Sequence, residues 1–172
     1  MEERVILVDE NDLRVGSEEK MEAHKAGRLH RAFSIFVFNT GGDMLLQKRA
    51  RDKYHSGGLW SNACCSHPRV GESLKEAVHR RLNEEMGFDC DLNEAFSFIY
   101  RAEIGDLVEH ELDHVFTGVY DGDVDPNTDE VEDYKWVGLN SLKEDMRKHP
   151  ETYTEWFKIA FERVIDFVEK NC

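Results

Sequence analysis

One segment near the middle of the chain has an apolar residue at every fourth position: Leu74, Val78, Leu82 and Met86. This spacing places the four side chains on one stripe of an α-helix, and such a stripe is normally buried against a core. Ser73 and Glu76 form a capping-box pattern at the start of the segment, and Gly87 follows its last residue. Because these residue types favour helix starts and ends, the sequence predicts a helix over residues 74–86.

Runs rich in β-forming residues lie on both sides of this helix and are separated by turns and loops. Strands are predicted over residues 5–8, 32–38, 44–48, 96–101, 108–120 and 134–137. Further helices are predicted over residues 17–26, with Ser17 as the N-cap, and over residues 141–148 and 154–169. Strands mixed with helices predict an α/β (α+β) fold, in which a mixed β-sheet is sandwiched between helices.

Length and charge exclude several classes of function. The 172 residues suffice for one domain with its own core, and we expect a single domain over residues 1–172. A formal net charge of −14 argues against the basic face that nucleic-acid binding requires. No run approaches the ~20 apolar residues of a membrane span, and the charged start does not resemble a signal peptide. We therefore expect a cytoplasmic monomer that binds neither nucleic acid nor membrane.

The four cysteines, Cys64, Cys65, Cys90 and Cys172, lack the spacing of a disulfide framework. Free thiols in a reducing compartment explain them best. A structural zinc site at Cys64, Cys65 and His67 is disfavoured, because no Cys-x-x-Cys pair completes it. Cys64 is interpreted as a buried neighbour of Cys65, since free cysteine packs like a small apolar residue.

The charged residues of the predicted helix allow two explanations. Arg81 precedes Glu84 by three positions and Glu85 by four, so the three share the face opposite the apolar stripe. A solvated face with salt bridges is the common explanation of such a pattern. The residues around the helix favour a more specific one.

The stretch over residues 66–88 is similar to the signature box of the Nudix family. That box runs Gly, five residues, Glu, seven residues, and then Arg-Glu-aliphatic-x-Glu-Glu-x-Gly-aliphatic. The resemblance implies a Nudix-like fold and a site for metal and diphosphate. Two positions differ, because Ser66 replaces the first glycine and Arg81 replaces a glutamate that helps to hold metal in Nudix hydrolases. A cation at position 81 repels Mg²⁺ but can bind a phosphate, which argues against the usual hydrolytic arrangement.

Further segments extend the resemblance to most of the chain, and their order is typical of the type 1 isopentenyl-diphosphate isomerases of the Nudix superfamily. They are Glu19-Lys20 with Ala23-His24, Arg28-Leu29-His30-x-Ala32-Phe33-Ser34, Lys48-Arg49-Ala50, Trp60-Ser61-Asn62, Cys65-x-His67-Pro68, Tyr100-Arg101-Ala102 and Glu109-His110-Glu111. The resemblance implies an isomerase that interconverts isopentenyl diphosphate and dimethylallyl diphosphate.

The resemblance also implies two metal sites. The first would be held by His24, His30, His67, Glu109 and Glu111. Mixed imidazole and carboxylate ligands suit Mn²⁺, Zn²⁺ or Mg²⁺. Glu109 and Glu111 are two residues apart on a predicted strand, so both point to one face. Glu85 would help to hold a Mg²⁺ ion that arrives with the substrate diphosphate.

By the same resemblance, Cys65 and Glu111 would act on opposite faces of the substrate, one adding a proton and the other removing one. Tyr100 would assist Glu111. The aromatic face of Trp156 would stabilise a carbocation-like state, and Trp60 would form a second wall. Packing in the core is the competing explanation for Trp156.

Four cations match the diphosphate-binding positions of the family: Lys20, Arg49, Lys53 and Arg81. The neighbours of Lys53, which are Asp52, Tyr54 and His55, differ from the family pattern. The main alternative is a Nudix hydrolase of a nucleoside or other organic diphosphate, and it would need the glutamate cluster that Arg81 interrupts. A non-catalytic metal-binding module would explain the ligands, but not their occurrence together with Cys65 and the phosphate-binding cations.

Overall fold

Strand β3 (His30–Phe38) lies at the centre of a nine-stranded mixed sheet within the part of the chain that the structure describes. The structure is a computed structural model that describes residues 3–53 and 55–171. The other strands are β1 (Arg4–Val8), β2 (Arg14–Glu19), β4 (Met44–Arg49), β5 (Trp60–Ser61), β6 (Cys64–Ser66), β7 (Asn93–Ile104), β8 (Leu107–Val119) and β9 (Val131–Val137). The helices are α1 (Lys20–Ala26), α2 (Leu74–Met86), α3 (Leu139–Lys148) and α4 (Glu155–Lys170), with a 3-10 turn over Pro150–Thr152. Among these described helices, none is both long and apolar enough to cross a membrane.

The central strand has neighbours of both directions. It runs parallel to β8, with His30 opposite Glu111, and antiparallel to β1, β4 and β6 along different parts of its length. Strands β7 and β8 form a long antiparallel pair, and β9 pairs antiparallel with β4. The prediction of a mixed sheet is therefore confirmed.

Different helices cover the two faces of β3. Because side chains alternate along a strand, Phe36 points to one face and Ile35 to the other. Phe36 packs with Phe157 and the other buried residues of α4, while Ile35 packs with Leu82 and the apolar stripe of α2. The predicted arrangement of a sheet between helices is confirmed.

Helix α2 begins and ends at the predicted residues. The side-chain oxygen of Ser73 accepts a hydrogen bond from the backbone N–H of Glu76 at 3.1 Å, and the Glu76 carboxylate accepts one from the N–H of Ser73 at 3.0 Å. Gly87 ends the helix with a φ of 73°. Val78, Leu82 and Met86 are fully buried, so the apolar stripe contacts the core as its spacing predicts.

The predicted helix over residues 17–26 is wrong in its first three residues, which belong to β2. Strand β2 pairs with β1 through residue 19, so the backbone groups of Ser17 belong to a sheet ladder rather than to a helix cap. The cap is Glu19, whose carboxylate accepts hydrogen bonds from the N–H groups of Met21 and Glu22. Pairing along the edge of the sheet thus moves the start of α1 to Lys20.

Strands β5 and β6 are absent from the sequence prediction. They contain two and three residues, which is too short for apolar alternation to be visible. Strand β6 pairs antiparallel with β3 and brings Cys65 opposite Ser34. This pairing fixes the cysteine segment beside the centre of the sheet.

Candidate active site

Three carboxylates lie along one face of β8. Glu109, Glu111 and Asp113 are each two residues apart, and alternation along the strand turns their side chains to the same face. All three are buried. Burial, together with the nearby charge of Glu111, raises the pKa of Asp113 well above its usual value. The buried charge needs compensation by cations or protonated partners.

Glu111 lies in a cluster with three histidines from separate elements. His24 comes from α1, His30 begins β3, and His67 follows β6. One ligand atom from each of the four residues lies within 4.8 Å of all the others. Oε2 of Glu111 is 3.0 Å from Nε2 of His30 and 2.8 Å from Nε2 of His67, and these two nitrogens are 3.3 Å apart. The fold therefore brings together residues that are up to 87 positions apart (24 to 111) in the chain.

Backbone carbonyl groups fix the orientation of two imidazole rings. Nδ1 of His24 is 2.6 Å from the carbonyl oxygen of Lys20, and Nδ1 of His30 is 2.9 Å from that of Arg28. Since an Nδ1–H group donates to each carbonyl, Nε2 is the ring nitrogen that faces the cluster and can bind a metal ion once it has lost its proton. Histidines that bind metal ions are commonly oriented in this way.

The donor set fits a divalent metal ion. The separations of 2.8 to 3.3 Å between donor atoms match those of neighbouring ligands around an ion with bonds of ~2.1 Å. Burial alone would raise the pKa of Glu111, but its hydrogen bonds with His30 and His67 hold the pKa well below the usual value. A carboxylate oxygen together with imidazole nitrogens suits Mg²⁺, Mn²⁺ or Zn²⁺.

Glu109, the fifth predicted ligand, contacts two histidines. Its Oε1 atom is 3.2 Å from Nε2 of His24, and it also contacts Nε2 of His55. His55 lies in the loop between β4 and β5, and only 4% of its side chain is exposed. The sequence analysis does not identify His55 as a site residue, because its segment has no periodic pattern that would indicate the direction of the ring.

Cys65 and Glu111 line the same inner pocket. The thiol of Cys65 donates to Oδ1 of Asn62 at 3.1 Å and lies 3.4 Å from the hydroxyl oxygen of Ser34. Ser34 donates in turn to Asp113 at 2.7 Å. Burial, with the nearby Asp113, raises the pKa of the Cys65 thiol above its usual value, so the thiol is protonated at neutral pH. Asp113 continues the spacing of two residues between Glu109 and Glu111, so the sequence could have identified it as a residue of the site. No local pattern in the sequence identifies Ser34 or Asn62.

The predicted aromatic residues divide between the pocket and its surroundings. Trp156 lines the inner pocket and also belongs to the core cluster of α4. Its position is therefore compatible with a role as a wall of the pocket and with core packing. Tyr100 donates a hydrogen bond to Oε1 of Glu111. Trp60 does not occur among the described residues that line the inner pocket. It packs against the α4 core, and the ammonium group of Lys135 lies 4.2 Å from the centre of its ring.

The four predicted cations line an outer pocket, which shares Arg49, Cys65 and His67 with the inner one. The predicted cations are Lys20, Arg49, Lys53 and Arg81, and three further arginines line the same pocket: Arg4, Arg69 and Arg80. The sequence analysis does not identify these three, since surface arginines are common. The chain as a whole has a net charge of −14, but this pocket concentrates positive side chains. Such a local concentration favours an anionic ligand.

Arg81 and Glu85 do not lie on a solvated face. Their side chains are 15% and 4% exposed. The guanidinium group of Arg81 donates to Glu84 at 2.6 Å, to Glu85 at 2.7 Å and to Glu130 at 2.6 Å. The solvated-face explanation is therefore wrong for Arg81 and Glu85, which line the outer pocket with Glu130, while the Glu84 side chain remains 40% exposed. Glu130 directly follows the acidic loop, which spans residues 121–129, and the sequence analysis does not identify it as a member of this network.

Comparison with known proteins agrees with this arrangement. Residues 28–157 match the model of the NUDIX domain family. A relative named isopentenyl-diphosphate Delta-isomerase 2, from Aromatoleum aromaticum, is 57% identical over 166 residues, which cover 96% of this chain and 88% of the relative. A protein of the same name from Photorhabdus laumondii is 56% identical over 159 residues, which cover 92% of this chain and 90% of the relative.

Solved structures show the same fold at low sequence identity. A protein from Deinococcus radiodurans is 18% identical with a TM-score of 0.71, covering 85% of this chain and 90% of its own. A MutT NUDIX hydrolase from Burkholderia pseudomallei is 21% identical with a TM-score of 0.63, covering 79% of this chain and 98% of its own. With a Nudix fold, and with relatives of such high identity along nearly its whole length, the chain belongs to the isopentenyl-diphosphate Delta-isomerases of the NUDIX domain family.

Proposed function

We propose that this protein interconverts isopentenyl diphosphate and dimethylallyl diphosphate by metal-dependent protonation and deprotonation, with Cys65 and Glu111 on opposite faces of the substrate. One observation carries the proposal: these two proton-transfer groups line one inner pocket, directly beside an outer pocket of cations. A pocket of this kind can hold an organic group, while the cations bind its diphosphate. The names of the relatives support isomerisation of isopentenyl diphosphate.

The reaction moves a carbon–carbon double bond by one position. A proton is added to the terminal methylene carbon of isopentenyl diphosphate, which leaves a tertiary carbocation-like centre on the next carbon. A proton is then lost from C2, and its bonding electrons form the new double bond of dimethylallyl diphosphate. One protein group loses a proton and the other gains one, so no redox partner is needed.

Cys65 and Glu111 are the two groups proposed for this exchange. The Cys65 thiol carries a proton and is oriented by Asn62, while the Glu111 carboxylate is ionised. Tyr100 donates to Glu111 and assists the movement of protons at that carboxylate. General acid–base catalysis of this kind contributes roughly 10²–10⁴-fold to a rate.

Trp156 is proposed to stabilise the cationic state. Its ring lines the inner pocket and is 4% exposed, which excludes most water from this wall. An aromatic face attracts a cation without forming a bond to it, and the attraction reaches ~2 kcal/mol or more when water is excluded. Trp60 is the weaker candidate for such a wall, since it is not among the described residues that line the inner pocket.

The outer pocket is proposed to bind the diphosphate group through Lys20, Arg49, Lys53 and Arg81. The last two also contact Glu130, whose carboxylate holds them in position when the pocket contains no anion. Glu85 lines the same pocket and is proposed to help hold a Mg²⁺ ion that arrives with the substrate.

The histidine cluster is proposed to hold a second divalent ion, Mn²⁺, Zn²⁺ or Mg²⁺. His24, His30 and His67 would supply imidazole nitrogens, and Glu109 and Glu111 would supply carboxylate oxygens. Such an ion would keep Glu111 ionised and fix its orientation in the inner pocket.

We also propose that the chain works as a single domain and as a monomer, and that it is located in the cytoplasm. The free thiols of Cys64, Cys65 and Cys90 support the location, because thiols stay reduced in that compartment.

The test is incubation of the purified protein with isopentenyl diphosphate and Mg²⁺ in D₂O. We expect dimethylallyl diphosphate that carries deuterium in a methyl group, detected by NMR and mass spectrometry. Release of inorganic phosphate or pyrophosphate without an allylic product would contradict the proposal and favour a Nudix hydrolase of an organic diphosphate. Arg81 disfavours that alternative, because a cation occupies the position where a Nudix hydrolase has a glutamate that helps to hold metal.

A further inference from the structure

His55 is the buried residue beside the metal cluster that has no role in the proposed reaction. Its imidazole lines the inner pocket together with Cys65, His67 and Glu111. Only 4% of the side chain is exposed, although the residue belongs to a loop. A polar ring that is buried at the end of a loop is most readily explained by a ligand or partner inside the site.

The ring of His55 lies close to two of the proposed metal ligands, His24 and Glu109. A ring nitrogen of His55, a ring nitrogen of His24 and a carboxylate oxygen of Glu109 all lie within 4.8 Å of one another. Nε2 of both histidines contacts the same atom, Oε1 of Glu109. His24 belongs both to this group and to the group that contains His30, His67 and Glu111, so the two groups adjoin each other and share one imidazole.

The backbone around His55 holds the ring in this place. Arg49 donates a hydrogen bond from its guanidinium group to the carbonyl oxygen of His55 at 3.3 Å. The next residue, Ser56, has a φ of 54°, which is a costly conformation for a residue with a side chain. The loop is closed behind it, since Gly58 and Arg49 form a backbone hydrogen bond of 2.9 Å. Strained backbone that persists in a tight loop commonly occurs at functional sites.

Charge balance favours a cation between these groups. Glu109 and Glu111 are both buried, and their oxygens contact imidazole nitrogens of the site. Buried carboxylates of this kind are normally paired with a cation or bound to a metal ion, and one divalent ion would balance both. Four imidazole nitrogens and two carboxylate oxygens make six donors, the number that an octahedral ion accepts.

We propose that His55 is a fourth imidazole ligand of this metal ion, so that the site has four nitrogen and two oxygen donors instead of three and two. The inference rests on the proposed function, because it extends the metal site described there. A filled coordination shell leaves no position for the substrate. The ion then acts by holding Glu111, and the diphosphate depends on the separate Mg²⁺ ion near Glu85.

The experiment counts metal-bound imidazoles directly. The protein is labelled with ¹⁵N in its histidines and loaded with ¹¹³Cd²⁺, and one-bond ¹¹³Cd–¹⁵N couplings are measured by NMR. Only a nitrogen bonded to the ion shows this coupling, so a hydrogen bond from His55 to Glu109 would give none. His55→Gln assigns the signal of His55, and His79→Gln is the matched control, since His79 lies on α2 and hydrogen bonds to Asp89.

We expect four coupled imidazoles in the unchanged protein, three in His55→Gln and four in His79→Gln. The affinity for Mn²⁺, measured by titration calorimetry, should fall at least tenfold in His55→Gln and stay unchanged in His79→Gln. Three coupled imidazoles in the unchanged protein, none of them from His55, would overturn this inference and leave the proposed function intact. No coupled imidazole at all would overturn the metal site of the proposed function as well.

Discussion

Tyr100 lies directly opposite Glu111 across the β7–β8 pair, and its hydroxyl group donates a hydrogen bond to Oε1 of that carboxylate. The second oxygen of Glu111, Oε2, contacts His30 and His67 instead. The two oxygens of one carboxylate thus belong to different environments, a phenol on one side and a cluster of imidazoles on the other. Burial raises the pKa of Tyr100 well above its usual value, so the phenol remains a donor at neutral pH.

Replacing Tyr100 with phenylalanine should lower kcat and leave KM almost unchanged. The substitution removes the donor to Glu111 but no residue of the outer pocket, so proton transfer is impaired by roughly 10²-fold or more while diphosphate binding persists. Steady-state kinetics with isopentenyl diphosphate measure both constants. Tyr120→Phe is the control, because its hydroxyl group donates to the carbonyl of Asp123 outside the site. A large rise in KM at constant kcat would contradict the role of Tyr100.

Replacing Cys65 with alanine should reduce turnover by at least about 10³-fold, because it removes one of the two proposed proton-transfer groups. The melting temperature should change little, since the thiol is only partly buried and its neighbour Asn62 keeps three other hydrogen bonds. Thermal unfolding and the deuterium assay measure the two effects.

Cys64→Ala is the matched control for this variant. Cys64 is fully buried in the α2 core, so its replacement should cost about 1 kcal/mol of stability and preserve turnover. If Cys65→Ala retained full activity, the thiol would have no catalytic role.

Features that depend on local pattern could be predicted from the sequence. Helix α2 repeats its apolar residues at helical spacing and has its caps within the same segment, so its boundaries are encoded locally. The site residues Cys65, Glu111 and Arg81 could be named because they interrupt or accompany a recognisable box. The distances between these residues in the fold could not be predicted from the sequence pattern.

The contacts that determine the chemistry of the site come from distant segments. Arg81 on α2 meets Glu130 directly after the acidic loop, 49 positions later, and His55 meets Glu109 through a loop without any periodic pattern. Sequence reasoning cannot predict such pairs, because they depend on the order in which β4, β8 and β9 are arranged in the sheet. The prediction of where α1 begins is wrong for a related reason, since pairing with β1 extends β2 through residue 19.

The Glu130 carboxylate should contribute stability that disappears in acid. Burial would raise its pKa, but a hydrogen bond with Glu85 and the charge of Arg81 lower it to about 2 from an ordinary 4.5. A lowered pKa stabilises the folded state above pH 4.5, and this contribution is lost as the pH falls towards 2. Because Glu130 is partly exposed and screened by solvent, we expect about 1 kcal/mol rather than the full value.

Urea unfolding of the unchanged protein and of Glu130→Gln checks this dependence. The unchanged protein should be more stable by that amount at pH 7, and the difference should narrow steadily below pH 4.5. Glu162→Gln, at an exposed position of α4, controls for the general loss of a carboxylate. A difference that stays constant from neutral pH to acid would contradict the ion pair of Glu130 with Arg81.

Replacing Gly87 with alanine should destabilise the fold more than the same change at Gly42. Both glycines have a positive φ, 73° and 88°, so each substitution carries a backbone cost of ~1–2 kcal/mol. At Gly87 the added Cβ would also lie 2.2 Å from the carbonyl oxygen of Asp125, whereas nothing lies within 4 Å at Gly42. The backbone of the acidic loop must therefore shift, and we expect a total loss of roughly 3 kcal/mol or more at Gly87. Urea unfolding measures both variants, and equal losses would show that the loop yields to the new Cβ without cost.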